Sequence, residues 1–215
     1  AAGESLYVED VFSTYLYTGA DANETVTNSI DLAGEGGFVW IKPRTTTGSH
    51  LLFDTERGTG KYLVSSSTAA EATYNPYLSS FNSDGFTTFA FAPADYASWS
   101  FRKAEKFFDV VTYTGNGSTT YAHSLNAIPA FVLYKATSTT SSWLACTRKN
   151  DGSYVVNILN GTTGTIFSYA DADAMGLTET TFNPNPTGAS SVGTEYVAYL
   201  FASDAGGFGD DGSES

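Results

Sequence analysis

The run FVWIK at residues 38–42 returns as FVLYK at residues 131–135, and it does not return alone. FSTYLYTG at Phe12–Gly19 matches FDVVTYTG at 108–115, and YASWSFRKA at 96–104 matches YVAYLFASD at 196–204. SFNSDGF at 80–86 answers the shorter TFNP at 181–184, which sets Phe81 against Phe182. Four anchors in one order, with spacings that change only as loop insertions would change them, read as an internal duplication. A duplicated chain has to build one frame twice, and that restricts its fold more than any composition does. The expected division is a first repeat over residues 1–104, a second over 105–203, and an acidic, Gly-rich tail or linker over 204–215.

Each anchor has strand character. YLYTG and VTYTG combine aromatic and β-branched residues and close on a glycine, and FVWIK and FVLYK are short apolar runs closed by a lysine. Turn signals such as GADANET, AGEGG, TTTGSH, NSDG, TGNGS and KNDGS lie between them. With 21 Gly, aromatics at 15% and charged residues at only 15%, the chain suits short strands and polar Ser, Thr and Asn surfaces better than helices. The best helical stretch, SSTAAEATY at 66–74, allows one or two turns. The fold class that follows is all-β: two tandem β-sandwich, jelly-roll-like repeats with short turns and little helix. In such a frame FVWIK is a core strand covered on both faces, and the lysines Lys42 and Lys135 mark where each copy emerges into solvent.

Charge narrows the partners. Ten Lys plus Arg against 23 Asp plus Glu give a net charge of -13, which repels nucleic acid and anionic membrane surfaces. No window is apolar for the 18 or so residues a spanning helix needs, so no membrane insertion is expected and the chain reads as soluble. It starts at Ala1 with no initiator Met and no signal-peptide pattern, as expected of a processed product or part of a longer polypeptide. The single Cys146 excludes a disulfide framework and reads as a small buried apolar residue.

Few residues offer chemistry. His50 and His123 are not reproduced in the other copy, Trp143 standing at the repeat position of His50, and no nucleophile motif accompanies either; both read as exposed or turn histidines. Asp54 and Glu56 in FDTERG are two apart, on one side of a strand, and would suit a glycosidase pair; Arg57 beside them suits a local ion pair equally. RGTGKY at 57–62 fails the phosphate-loop pattern because Tyr62 follows the lysine and Thr55 replaces the first glycine. Calcium would choose DADAMG at 171–176 or the 204–215 tail, yet Met175 occupies a ligand position in the first and no glutamate closes its loop. No metal site and no cofactor are therefore expected. Asn23, Asn116 and Asn160 meet the glycosylation pattern at expected turns. For a carbohydrate surface the aromatic candidates are Tyr74, Tyr77 and Trp143, with Asp54, Glu56 and Arg57 as the polar candidates.

The segments DVFSTYLYTG, IDLAGEGGFVWIK, LLFDTERGTGK, SFNSDGF, WSFRKAEKFFDVVTYTGNG and YVAYLFASDAGGFGDDGSES together resemble a repeat domain of tail-fibre and related virion structural proteins of tailed bacteriophages. The resemblance runs from about Asp10 to the end. It implies a non-enzymatic virion module for assembly or host attachment, with other virion proteins or copies of itself as partners, a host-surface glycan as a further one, and localisation in the extracellular particle. A capsid-decorating protein and a carbohydrate-binding domain are the alternatives. The second copy departs from the first at the acids, Thr147 and Lys149 standing for Asp54 and Glu56, so any site built from them belongs to the first copy alone. The many aromatics also suit an intersubunit face and hence a homo-oligomer.

Overall fold

A computed structural model describes residues 6–20, 22–74, 77–89, 91–117, 120–159 and 165–203. The 204–215 tail, Asn160 and the Ser118 of the Asn116 glycosylation pattern lie outside the described residues. The molecule is all-β. A one-turn helix α1 (Val8–Val11) leads into β1 (Phe12–Gly19), β2 (Glu24–Thr27), β3 (Gly37–Pro43), β4 (Leu51–Asp54), β5 (Lys61–Val64), β6 (Ala72–Thr73), β7 (Leu78–Asn82), β8 (Gly85–Thr88) and β9 (Ala94–Arg102). The second half runs β10 (Phe108–Thr114), β11 (Tyr121–Ala122), β12 (Phe131–Ala136), β13 (Leu144–Arg148), β14 (Tyr154–Ile158) and β15 (Thr165–Tyr169), then α2 (Ala172–Met175), β16 (Thr181–Phe182) and β17 (Glu195–Phe201).

Two compact units result. One holds the described residues up to Val64 together with Ala72–Ala104, the other Ser65–Glu71 and Glu105–Ser203. The first builds a six-stranded sheet in the order β1-β9-β3-β4-β5-β6, the second one in the order β10-β17-β12-β13-β14-β15, so every strand of the large sheet has a counterpart in the same place. A smaller sheet covers each: β2-β8-β7 in the first unit and β11-β16 in the second. Val26, Leu78 and Phe86 from the small sheet close a core on Val39, Ile41 and Phe53 of the large one. In the second unit Leu125, Met175 and Phe182 close on Val132, Tyr134 and Cys146. Each unit is thus a β-sandwich with unequal sheets.

The duplication extends to ring packing. Tyr17 pairs across the strands with Tyr96, stacked at 5.4 Å, as Tyr113 pairs with Tyr196 at 5.2 Å. Phe12 meets Phe101 at 4.8 Å and Phe108 meets Phe201 at 4.9 Å, while Phe38 and Phe131 take the other flank of those same rings. Aromatic pairs of this kind contribute about 0.5–1.5 kcal/mol each beyond their buried area. The recurrent glycine of YTG is explained by close approach. A Cβ on Gly19 would lie 2.8 Å from the Tyr96 ring, and one on Gly115 would lie 2.3 Å from the Ser191 carbonyl oxygen.

Three expectations are corrected. The pairing of Phe81 with Phe182 is one strand out: β16 pairs with β11 as β8 pairs with β2, and Phe182 meets Tyr113 edge-on at 5.5 Å as Phe86 meets Tyr17 at 6.4 Å. Phe86, not Phe81, is its counterpart, because the second copy lacks the extra strand β7. The stretch 66–74 is not helical; Ser67 Oγ accepts the Ala69 N–H at 3.1 Å, a local bond that competes with a helix, and the segment ends in β6. The closing lysines do not emerge freely. Lys42 is half-buried with Nζ donating to the Pro43 carbonyl at 2.6 Å, and Lys135 is 1% exposed, donating to the Ala136 carbonyl at 2.9 Å and the Thr68 carbonyl at 3.3 Å. Thr68 belongs to Ser65–Glu71, which the second unit holds through Glu71 N–H to Thr137 O and Ser141 N–H to Thr68 O, both 2.9 Å.

Candidate functional site

Asp54 ends β4 and is fully buried. Arg57 donates from Nε to Asp54 Oδ2 at 2.6 Å and from its backbone N–H to Oδ1 at 2.9 Å, while Nη2 reaches the Leu52 carbonyl at 3.0 Å. The carboxylate and guanidinium therefore close the β4–β5 turn, whose Gly58 and Gly60 carry φ of 86° and 76°. Glu56 points elsewhere, exposed and paired with Lys103 at 2.9 Å. The two acids do not share a strand face, because the chain turns immediately after Asp54. The FDTERG cluster is a turn lock, and the glycosidase geometry is not formed.

Trp143 is corrected as well: it is 1% exposed, stacked on Tyr199 at 6.5 Å, and unavailable to a ligand. Its repeat counterpart His50 is half-buried and accepts the Trp40 Nε1–H at Nδ1, 2.8 Å away. Burial, then the neighbouring Lys42 charge, lowers the His50 pKa, in keeping with an acceptor nitrogen. His123 is buried rather than exposed: Nδ1 accepts the Leu125 N–H at 3.2 Å and Nε2 lies 3.3 Å from the Thr178 carbonyl. In DADAMG, Asp171 caps α2 by accepting the Ala174 N–H at 2.9 Å, and Gly176 ends the helix at φ 72°. Among the described residues no three His, Cys, Asp or Glu side chains gather where a metal could be held.

Tyr74 and Tyr77 do come together, at a place the sequence did not indicate. In the first unit, where β3 ends at Pro43, a cleft of about 420 Å³ opens between the following loop and the aromatic residues of the far side. Pro43, Leu51 and Val64 line its base; Tyr62, Tyr77, Phe91 and Tyr96 form its wall; Thr46 and Ser49 line its rim. The rings are continuous: Tyr62 meets Tyr77 at 5.3 Å, Tyr77 stacks on Phe91 at 5.3 Å and 9°, and Phe91 meets Tyr96 at 5.2 Å. Tyr74, 47% exposed, extends the row outward at 4.6 Å from Tyr77. Burial first, then neighbouring tyrosines, raise the pKa of Tyr77 and Tyr96, so both hydroxyls stay protonated; that of Tyr96 donates to the Ala92 carbonyl at 2.9 Å. Among the described residues no charged side chain lines the cleft.

The second unit keeps this site in reduced form. Ala136, Thr139, Ser142, Leu144 and Tyr196 stand where Pro43, Thr46, Ser49, Leu51 and Tyr96 stand, around a cavity of about 220 Å³. Its far side is Gly188, Ala189 and Ser191 instead of aromatic rings. There Tyr113 donates its hydroxyl to the Ala189 carbonyl at 2.8 Å, whereas the hydroxyl of its counterpart Tyr17 is buried without a partner among the described residues. Sequence reasoning missed Tyr62, Phe91 and Tyr96. They read as strand aromatics, and the one available signal was that only Tyr96 has a counterpart, Tyr196.

Residues 8–213 match the family model of a domain of unknown function, DUF7483. The chain belongs to the DUF7483 family. No curated protein and no solved structure matches this DUF7483 chain.

Proposed function

We propose that this DUF7483 chain is a non-enzymatic structural module of a phage virion appendage such as a tail fibre, serving assembly or host attachment. The observation that carries the reading is the duplicated frame. The two units repeat strand order and ring packing, while the acids that suggested chemistry are committed to a turn lock and a surface pair. What two copies retain is a scaffold. The first unit also offers a contact edge: β1 ends its sheet, pairing with β9 on one side, and exposes Tyr15 (37%) and Leu16 (57%). An open edge strand with apolar side chains pairs readily with another chain, which suits other virion proteins or further copies of this one. The test is to locate an epitope-tagged copy on imaged particles. Label on the tail appendage is the expected result; label on the capsid shell favours the decoration role, and particles without label overturn the virion reading.

A further inference from the structure

We propose that the aromatic cleft of the first unit binds one uncharged sugar ring, the recognition element of the attachment role and therefore dependent on that reading for its biological setting. A pyranose ring presents a face of C–H groups and an edge of hydroxyls. Tyr77 and Phe91 stack on each other at 9°, and with Tyr62 and Tyr96 beside them they give the cleft an apolar aromatic wall against which such a face can pack. Thr46 and Ser49, both exposed, offer donors and acceptors for the edge, while the Tyr96 hydroxyl is committed to the Ala92 carbonyl at 2.9 Å. A cleft of about 420 Å³ that mixes aromatic rings with polar groups has the size of a small-ligand site.

Charge selects among ligands. Among the described residues no Lys, Arg, Asp or Glu lines the cleft, and the chain carries a net charge of -13, so an anionic sugar gains no counter-ion from them and is repelled at long range. With no carboxylate lining the cleft among the described residues, the ring is held and not cleaved, since glycoside hydrolysis needs a placed acid. The molecule carries its own control. The equivalent cavity in the second unit retains the hydroxyls of Thr139 and Ser142 but adds Lys135 to its lining and replaces the ring wall with Gly188, Ala189 and Ser191 at about half the volume. If hydroxyl-lined space were enough, both sites would bind; the ring wall restricts binding to the first.

The test is saturation-transfer NMR on the full chain with a panel of methyl glycosides of glucose, galactose, mannose and N-acetylglucosamine, alongside sialic acid and a proline-rich peptide. At least one neutral glycoside receives saturation, strongest on the C–H protons of one ring face, and sialic acid does not. Tyr77→Ala weakens binding by roughly tenfold, and Tyr77→Phe stays within about twofold of wild type. If Tyr77→Ala fails to fold, the double variant Thr46→Ala/Ser49→Ala, at exposed positions that line the cleft, decides by a similar loss. No response from any neutral glycoside, a response only from sialic acid or the peptide, or binding unchanged in the variant that folds overturns the assignment. Particle localisation is unaffected by these outcomes, so failure of the cleft and failure of the virion role are told apart.

Discussion

Beyond Pro43 the first unit walls its sheet end with Tyr62, Tyr77 and Phe91; beyond Ala136 the second fills the same place with Gly188, Ala189 and Ser191. Both ends rest on one frame, since β3 and β12 occupy the same position in sheets of the same order. The contrast separates two kinds of selection on a duplicated chain. Residues that hold strands to strands, Tyr17 with Tyr96 and Phe12 with Phe101, are kept in both copies because each sandwich needs them. Residues that only line space beyond the sheet are free to diverge, and there the copies have done so.

The largest effect that separates the units is the turn lock. Asp54→Ala leaves the Arg57 guanidinium buried without its partner and is expected to cost about 3–5 kcal/mol. Thr147→Ala at the repeat position, half-buried, costs less than about 1 kcal/mol. Denaturant unfolding of both variants checks this, and equal losses would mean that the lock is not particular to the first unit. The corrected alignment gives a second contrast. Phe86→Ala and Phe182→Ala remove equivalent, fully buried rings and each cost about 3–5 kcal/mol, whereas half-buried Phe81→Ala costs less than about 2 kcal/mol. A loss at Phe81 as large as that at Phe182 would restore the original pairing.

That correction shows what was legible in the sequence. FVWIK and FVLYK, or YTG twice, could be aligned because an entire strand with its ring pairs recurs. Phe81 was mistaken for Phe86 because both flank the same NSDG turn with alternating apolar residues, and nothing local says which strand the second copy has lost. The cleft was less legible still. Its wall gathers Tyr62, Tyr77, Phe91 and Tyr96 from separate segments, and only the fold brings those segments together. Asp54 and Arg57 were correctly suspected of an ion pair, since three residues across a turn lie within reach of one another. Trp143 was misread because a tryptophan's composition signal is the same on a surface and in a core.

Lys135 supplies a smaller, pH-dependent contrast. Burial lowers its pKa to about 8 from 10.5, so above about 8 the folded chain has released a proton that the unfolded chain still binds, and stability rises with pH. Cys146, pushed up to about 12 from 9.0 by burial, acts in the opposite sense above its ordinary range, so the clean window lies between about pH 8 and 9. Stability measured by urea unfolding at pH 8 and pH 9 should rise in the wild type and lose that rise in Lys135→Met. Lys42→Met, at the equivalent strand end, should keep it. A rise that persists in Lys135→Met would assign the effect to another group.

The smallest expected difference lies at the position where one copy has histidine and the other tryptophan. His50→Leu removes the acceptor of the Trp40 indole N–H, a half-buried hydrogen bond, and is expected to cost about 1 kcal/mol at pH 8. The cost has a sign in pH. Because burial and Lys42 lower the His50 pKa below 6.5, the unfolded chain takes up its proton first as pH falls. The contribution of His50 is therefore fully present above 6.5 and is lost as pH falls through the folded value, so the gap between wild type and His50→Leu should close in acid. Urea midpoints at pH 8 and pH 5 read the change. A gap that widens toward pH 5 would mean that His50 is held as the charged form, which the Trp40 donor does not allow, and the reading of this position as a packing substitute for Trp143 would fail with it.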